Sequence, residues 1–404
     1  MRLDIDVDKL TNYLVANSDF AAGPLQEIKQ VCPVDVASVL RAKPRAFVLV
    51  HLHSAPVAHM VAPLLQFNKG QSNPTYLLTA SDGHRYVVRK QPPGQLLKGA
   101  HAVDREYKVL EALQDTDVPV PRVLLLCEDP DILGTSFYVM DFINGRIVED
   151  HACLDFAPDV RKAMYDSLAE VLAALHRVDP VAVGLERFGR PTGYIQRQMK
   201  TWGGNYDQAD VIVRDREVWE KQGLTYRDDG DAMPRLREYL DAHVEEEVAA
   251  GGDEPVCIVH GDYRFGNVIW HTTEPRIVAV LDWEICTIGN PAADLAYLTN
   301  YSYGAMEEGV AVGVEGVPSE AEFVQLYYEK VGRPQVSDQL WTFLKAFILF
   351  RKAAIGHGVF SRGLAGNASS TKGIASAEMK VSAWTAMCQV GLKLIGLEPS
   401  GAKL

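Results

Sequence analysis

Residues 259–270 read VHGDYRFGNVIW; the apolar run Ile277–Leu281, then Asp282-Trp-Glu, then GNPAADLAYL (289–298) follow them. A carboxylate (Asp262), a carboxamide (Asn267) five residues on and a second carboxylate (Asp282) therefore arrive in order. Between them, Val268–Trp270 and Ile277–Leu281 read as short strands joined by a turn at His271–Pro275. A short loop can aim the first carboxylate at an incoming hydroxyl while the amide oxygen, one loop turn away, faces a cation. Hard carboxylate and amide oxygens suit Mg2+, which keeps some waters and takes few protein ligands. Asp294 follows Asn290-Pro291 at a helix start, where an acid suits the helix dipole and can hold the preceding loop through hydrogen bonds.

The run from His260 to Asn267 has the spacing of the protein-kinase catalytic loop, H-R-D-x-x-x-x-N. In that loop the Asp accepts the substrate hydroxyl proton and the Asn holds a metal. Taken together, HGDYRFGN, LDWE and GNPAADLAYL resemble the aminoglycoside phosphotransferase and choline kinase group of small-molecule kinases. Within it the chain is most similar to the kinase-like domain fused to some acyl-CoA dehydrogenases, over about residues 67–395. The resemblance implies an α+β, two-lobed protein-kinase-like fold. A small antiparallel-sheet N-lobe would take residues 1–142 and bind the nucleotide, and a larger, mainly helical C-lobe would take 143–404. It also implies ATP and Mg2+, with Asp262 deprotonating the acceptor hydroxyl and Asn267 and Asp282 holding the metal. Arg264 lies where the catalytic-loop Lys of protein kinases steadies the moving phosphoryl group.

In the N-terminal part, Val7–Asn17 reads as a helix, Phe67–Thr75 as a turn-rich link, and Tyr76–Thr79 and Tyr86–Arg89 as strands around the turn Ser81-Asp-Gly83. As a bare sequence feature the Gly70 turn is an ordinary hairpin. By resemblance it covers the nucleotide phosphates, which makes Ser72 and nearby backbone amides candidates. Period-two alternation puts Arg89 and Lys90 on opposite faces, so that one of the two points inward. The resemblance favours Arg89 as the phosphate-gripping cation, and a guanidinium can do this bidentately. Residues His101–Gln114 read as a helix with Val103, Tyr107, Leu110 and Leu113 on one face. On that helix Glu106 is by itself a solvated charge and by resemblance the partner of Arg89. Val118–Arg122 begins a further strand, and Phe137–Ile143 reads as a strand running into the hinge, where the backbone of Asp141 to Ile143 would meet adenine.

Beyond the hinge, Arg161–Arg177 carries a helical stripe ending in His176, which reads as a packing or capping residue. Residues 207–232 suit a surface helix or loop, and 338–396 read as C-terminal helices. In FRKAAIGHGVFSRG (350–363), Arg351, Lys352, His357 and Arg362 either face the acceptor or form a solvated edge.

A chain of 404 residues with 47% hydrophobic and 23% charged residues is ordinary for a globular protein and long enough for two lobes. Its net charge of −13 opposes nonspecific nucleic-acid binding. Six scattered cysteines without a C-x-x-C pair read as reduced thiols, with no zinc site. The N-terminus lacks the apolar core of a secretory signal, and histidines and prolines interrupt the apolar run 46–65, which opposes a membrane span.

Residues 31–66 interrupt the family pattern. Removing them joins GPLQEIKQ to FNKGQSN, a natural strand and turn. Val31 codons begin with GT, and Gln30 and Gln66 can each be CAG, so the segment reads as a retained intron, with a genuine loop insertion as the alternative. The tail Ala402-Lys403-Leu404 is one small-residue swap from the peroxisomal Ser-Lys-Leu address; the expected location is the peroxisome, otherwise the cytoplasm. The expected acceptor is a small hydroxylated molecule. The resemblance implies a hydroxyacyl-CoA, with an acyl-CoA dehydrogenase as a separate partner. An aminoglycoside- or choline-type kinase and a noncatalytic nucleotide-binding protein are the alternatives.

Overall fold

The computed structural model describes residues 7–17, 25–31, 73–80, 82–92, 102–228, 230–250, 256–303, 311–366 and 377–398. Ser72, and residues 32–66 of the segment that interrupts the family pattern, lie outside the described residues. The chain divides into two compact units. One comprises Met1–Asp115, Pro119–Val148 and Val268–Glu284; the other comprises Thr116–Val118, Glu149–Asn267 and Ile285–Leu404.

The first unit is built on an antiparallel sheet of β1 (Leu25–Val31), β2 (Thr75–Ala80), β3 (Arg85–Lys90), β4 (Val123–Cys127) and β5 (Phe137–Asp141), in the order β1-β2-β3-β5-β4. Alternation explains its core. Tyr76, Leu78 and Ala80 of β2 and Tyr86 and Val88 of β3 point to one face, where they pack with Phe137, Val139 and with Leu10 and Leu14 of the helix Val7–Asn17. The opposite face carries Thr75 and Arg89, which are paired directly across β2 and β3. The expected strand at Val118–Arg122 starts only at Val123, because Pro119 and Pro121 cannot donate to a ladder. The strand at 137–143 stops at Asp141.

Lys90 corrects the sequence reading that one of the two neighbouring cations points inward: both are buried, Arg89 at 6% exposure and Lys90 at 2%. The sheet is covered on both faces at this point. Lys90 Nζ donates to Thr135 Oγ1 (2.6 Å), which in turn donates to the Gln91 carbonyl. Burial lowers the Lys90 pKa.

β1 runs antiparallel to β2, with Gln30 opposite Tyr76 and Val31 opposite Thr75. The hairpin β7 (Val268–Trp270) and β8 (Ile277–Val280) also belongs to this unit. Val268 pairs with Val280, and Ile147, Ile269 and Ala279 form a small core beneath it.

Among its described residues the second unit is mainly helical, with one short ladder, β6 (Cys257–Val259) against β9 (Thr287–Gly289). Local signals start its helices. Pro158 opens Pro158–Arg177, Asp215 and Ser337 cap Arg216–Lys221 and Asp338–Leu364, and a Ser319/Glu322 capping box starts Glu320–Val331. The 27-residue helix Asp338–Leu364 is buried on most sides and is the axis of the core. Arg351 and His357 on it are buried, so neither forms a solvated edge, whereas Arg362 is exposed. Residues 207–213 and 216–221 are helical. Among the described residues, no helix is long and apolar enough to cross a membrane.

Two glycines of this unit give opposite expectations. A Cβ at Gly289 would lie 2.2 Å from the Tyr194 ring, whereas at Gly204, inside the helix Tyr194–Val213, it would meet nothing within 4 Å. Gly289→Ala should lower unfolding free energy in urea by about 2 kcal/mol through overpacking. Gly204→Ala should raise it by about 0.5–1 kcal/mol.

Candidate active site

The segment that leaves β6 is fixed by one buried carboxylate. Val259 ends the ladder, and the next two backbone N–H groups, of His260 and Gly261, donate to Asp294 Oδ2 and Oδ1, each at 2.7 Å. Asp294 stands in the first turn of the helix Ala292–Tyr303, begun by Asn290, whose Oδ1 accepts from the Ala292 N–H. His176 completes the arrangement: its Nε2–H donates to Asp294 Oδ2 (3.3 Å), and its Nδ1 accepts from the Tyr327 hydroxyl (2.7 Å). Burial lowers the His176 pKa and keeps the ring neutral. Burial works to raise the Asp294 pKa, but the His176 hydrogen bond and the loop amides outweigh it and hold the carboxyl below its usual range.

Gly261 adopts φ +84°, and a Cβ there would press on Ile285, so the turn before Asp262 favours glycine. Arg351 Nη2 donates to the Gly261 carbonyl at 2.8 Å from its place beside the rings of Trp202 and Tyr297.

Asp262 itself is half-buried and meets two of the residues singled out in the sequence. Asn267 Nδ2 donates to Asp262 Oδ2 (2.6 Å) and to its carbonyl (2.8 Å), and Arg264 Nε lies 3.4 Å from Asp262 Oδ1. Both Asn267 bonds use the amide nitrogen, which leaves the hard amide oxygen as the atom with lone pairs for a cation. Beside this loop, Lys352 Nζ sits 3.6 Å from the Tyr301 ring centroid and the Arg264 guanidinium 5.6 Å from it, with the His151 ring stacked at 5.9 Å. Burial, then Arg264 and Lys352, push the His151 pKa down to about 3, so that ring is neutral; its Nδ1 meets Ser302 Oγ.

In the first unit, Arg89, Glu106 and Asp282 come together. Arg89 Nε lies 3.2 Å from Glu106 Oε2, and Arg89 Nη2 lies 3.4 Å from Asp282 Oδ1. Glu106 projects from the helix Val103–Leu113 and is 1% exposed, so it is no solvated charge. Burial works against the Arg89 charge, but the carboxylates around it raise its pKa; burial raises the Glu106 pKa, with Arg89 opposing. One guanidinium thus serves two acids, and Asp282, the more exposed of them, keeps oxygen lone pairs for a cation. Asp282 holds φ +67°, a left-handed conformation that Asp tolerates better than most residues.

Asp141 and Ile143 line a cavity of about 590 Å3, together with Gly83–Tyr86, Arg122 and Phe142, whose ring lies under the Arg85 guanidinium at 4.1 Å. The N–H groups of Asp141 and Phe142 are already committed to the Arg122 and Arg85 carbonyls, which leaves that of Ile143 as a donor. Among the described residues, no group of three or more His, Cys, Asp or Glu side chains could cage a metal.

A family model described as "Phosphotransferase enzyme family" matches residues 63–317. The chain belongs to this family. This phosphotransferase is 40% identical over 318 residues to "Probable acyl-CoA dehydrogenase IBR3" of Arabidopsis thaliana, covering 76% of the chain and 37% of the relative. It is 36% identical over 355 residues to "Acyl-CoA dehydrogenase family member 10" of Mus musculus, covering 85% of the chain and 31% of the relative. The chain therefore spans about a third of the length of these curated relatives. A crystal structure from Ralstonia eutropha JMP134, provisionally named an aminoglycoside phosphotransferase, shares 32% identity and a TM-score of 0.73 over 97% of this chain and 99% of that one. The kinase-like α+β fold expected from the sequence is the fold observed.

The phosphotransferase depends on Asp294 for the shape of its loop. An amide at that position has a single acceptor oxygen, so one loop N–H would be left facing an NH2 group. Asp294→Asn should cost about 3 kcal/mol at pH 7. Because the folded pKa lies below the ordinary 3.8, the carboxylate adds stability above about pH 4 that is lost as pH falls through the folded value. Urea unfolding at pH 7 and pH 3 should show the deficit of Asp294→Asn narrowing in acid.

Proposed function

We propose that the chain transfers the γ-phosphoryl group of ATP to a hydroxyl of a small molecule. The observation that carries this reading is the Asp262–Asn267 hydrogen bond on a loop tied down by Asp294, because it fixes one carboxylate beside an amide whose oxygen stays free for a cation. Asp262 orients the acceptor hydroxyl and takes its proton. Arg264 offsets charge beside it, and Arg89, fixed by Glu106, holds the nontransferred phosphates. Asn267 and Asp282 are the oxygen donors for Mg2+. Chain connectivity supports their joint use: Asn267 directly precedes Val268, which pairs with Val280, two residues before Asp282. When bound, the metal supplies charge neutralisation for the phosphates. Adenine would use the Ile143 stretch.

For the acceptor we propose a hydroxyacyl-CoA. The names of the relatives support it, and so do the charges around the loop. Arg264 lies beside Asp262 and shares the Tyr301 ring with Lys352, and these cations disfavour choline or an aminoglycoside and suit an anionic molecule. An acyl-CoA dehydrogenase acting on the product is the corresponding partner.

ATP turnover against hydroxyacyl-CoAs, choline and an aminoglycoside tests the reading. Asp262→Asn should lower kcat about a thousandfold at little cost in ATP affinity. Arg89→Met should raise the KM for ATP about tenfold or more. Turnover indifferent to Asp262→Asn would refute the assigned base, and ATP binding without turnover on any acceptor would favour an inactive nucleotide-binding protein.

A further inference from the structure

Three peptide planes lead into Asp262, and the buried Asp294 carboxylate fixes two of them. It accepts the N–H groups of His260 and Gly261, which belong to the planes before and after His260. The third plane carries the Gly261 carbonyl and the Asp262 N–H, and it sets the direction in which the Asp262 side chain leaves the backbone. It hangs on a glycine at φ +84°, the residue type whose backbone turns most freely. Its N–H donates to His260 Nδ1 at 3.1 Å, inside the same loop. Among the described residues, its anchor from outside the loop is Arg351, whose Nη2 donates to the Gly261 carbonyl at 2.8 Å.

Arg351 does this from a costly position. It is 3% exposed, its Nε has no hydrogen-bond partner, and among the described residues its guanidinium pairs with no carboxylate. Its charge rests instead beside two rings, Trp202 at 5.2 Å and Tyr297 at 5.1 Å, of which Tyr297 stands three residues after Asp294 on the helix Ala292–Tyr303. A buried cation without a counter-ion opposes folding, and an apolar side chain of similar length would fill the same space without that cost. Packing alone therefore does not call for a guanidinium here. The Gly261 carbonyl does, because it needs a donor that reaches across from another helix.

We propose that Arg351 is a positioning residue for the transfer: it locks the Gly261–Asp262 peptide plane and so keeps the Asp262 carboxylate aligned with the acceptor hydroxyl. This rests on the assignment of Asp262 as the base and adds a residue on which that base depends. The two buried charges divide the loop between them. Asp294 takes the N–H groups and Arg351 the carbonyl, so both main-chain polar groups of Gly261 are held by side chains of opposite sign from two helices. In this role Arg351 touches neither acceptor nor nucleotide, and its loss reads out in turnover rather than in affinity.

The test is Arg351→Met in the full chain, read by hydrogen exchange of single amides, by thermal unfolding and by ATP turnover on the hydroxyacyl-CoA that the parent uses fastest. The Asp262 amide should exchange about tenfold faster, while the His260 and Gly261 amides, still bonded to Asp294, keep the parent's protection. The kcat should fall about tenfold or more, with the KM for ATP and for the acceptor each changed less than about twofold. The variant melts at the parent's temperature or higher, because a buried charge is gone. An unchanged kcat or an unchanged Asp262 exchange rate overturns the proposal. So does equal speeding of all three amides with a lower melting temperature, which marks a residue that holds the fold, and so does a raised KM at parent kcat, which marks a ligand contact. Should Arg351→Met not fold, Arg351→Lys carries the same test: it keeps the charge but shortens the reach to the carbonyl, so a parent-like kcat with parent-like Asp262 exchange is a refutation. A parent inactive on every acceptor overturns the transfer reading, and the exchange of the Asp262 amide then decides the locking role by itself.

Discussion

The buried carboxylate of Asp294 is the constraint on which the catalytic loop depends. It accepts two consecutive backbone N–H groups and a neutral imidazole, and thereby fixes the main chain of His260 and Gly261 without touching Asp262. The cost of burying that charge is offset by charge-assisted bonds, and the geometry they impose is inherited by every residue downstream. Asp262 follows the left-handed Gly261, Asn267 closes back on Asp262, and Arg351 secures the Gly261 carbonyl from the longest helix of the unit. A loop held this way needs no rearrangement of its own backbone to present a carboxylate.

The sheet unit solves a different problem, keeping a guanidinium charged and oriented in a buried place. Arg89 is almost fully enclosed, so its charge depends on Glu106 and Asp282. Glu106 is the deeper and more permanent partner, while Asp282 sits nearer the surface. Under the proposed metal role of Asp282, Glu106 would remain the counter-ion of Arg89. Lys90, one residue on, is consumed structurally on the other face, which explains how adjacent cations in one strand serve unrelated ends.

Much of this was legible in the sequence, and the limits follow from physical separation. Asp262, Arg264 and Asn267 lie within six residues, so their mutual contacts could be read from spacing, and the alternation of β2 and β3 revealed the core face. His176, by contrast, meets Asp294 across 118 residues and Tyr327 across 151, so that its part in holding the loop left no local signal. Lys352 over Tyr301 is the same case. The burial of Lys90 escaped because strand periodicity assigns a side chain to a face but does not say whether that face is covered.

The claim with the widest consequences is that Asn267 and Asp282, fifteen positions apart, serve one metal–nucleotide complex. Electron paramagnetic resonance of Mn2+ in the presence of a non-hydrolysable ATP analogue measures this directly. Asn267→Ala and Asp282→Ala should each weaken nucleotide-dependent Mn2+ binding about tenfold or more, and the double variant should lose less than the two single losses combined. Nucleotide-dependent Mn2+ affinity that neither substitution changes would contradict the shared site.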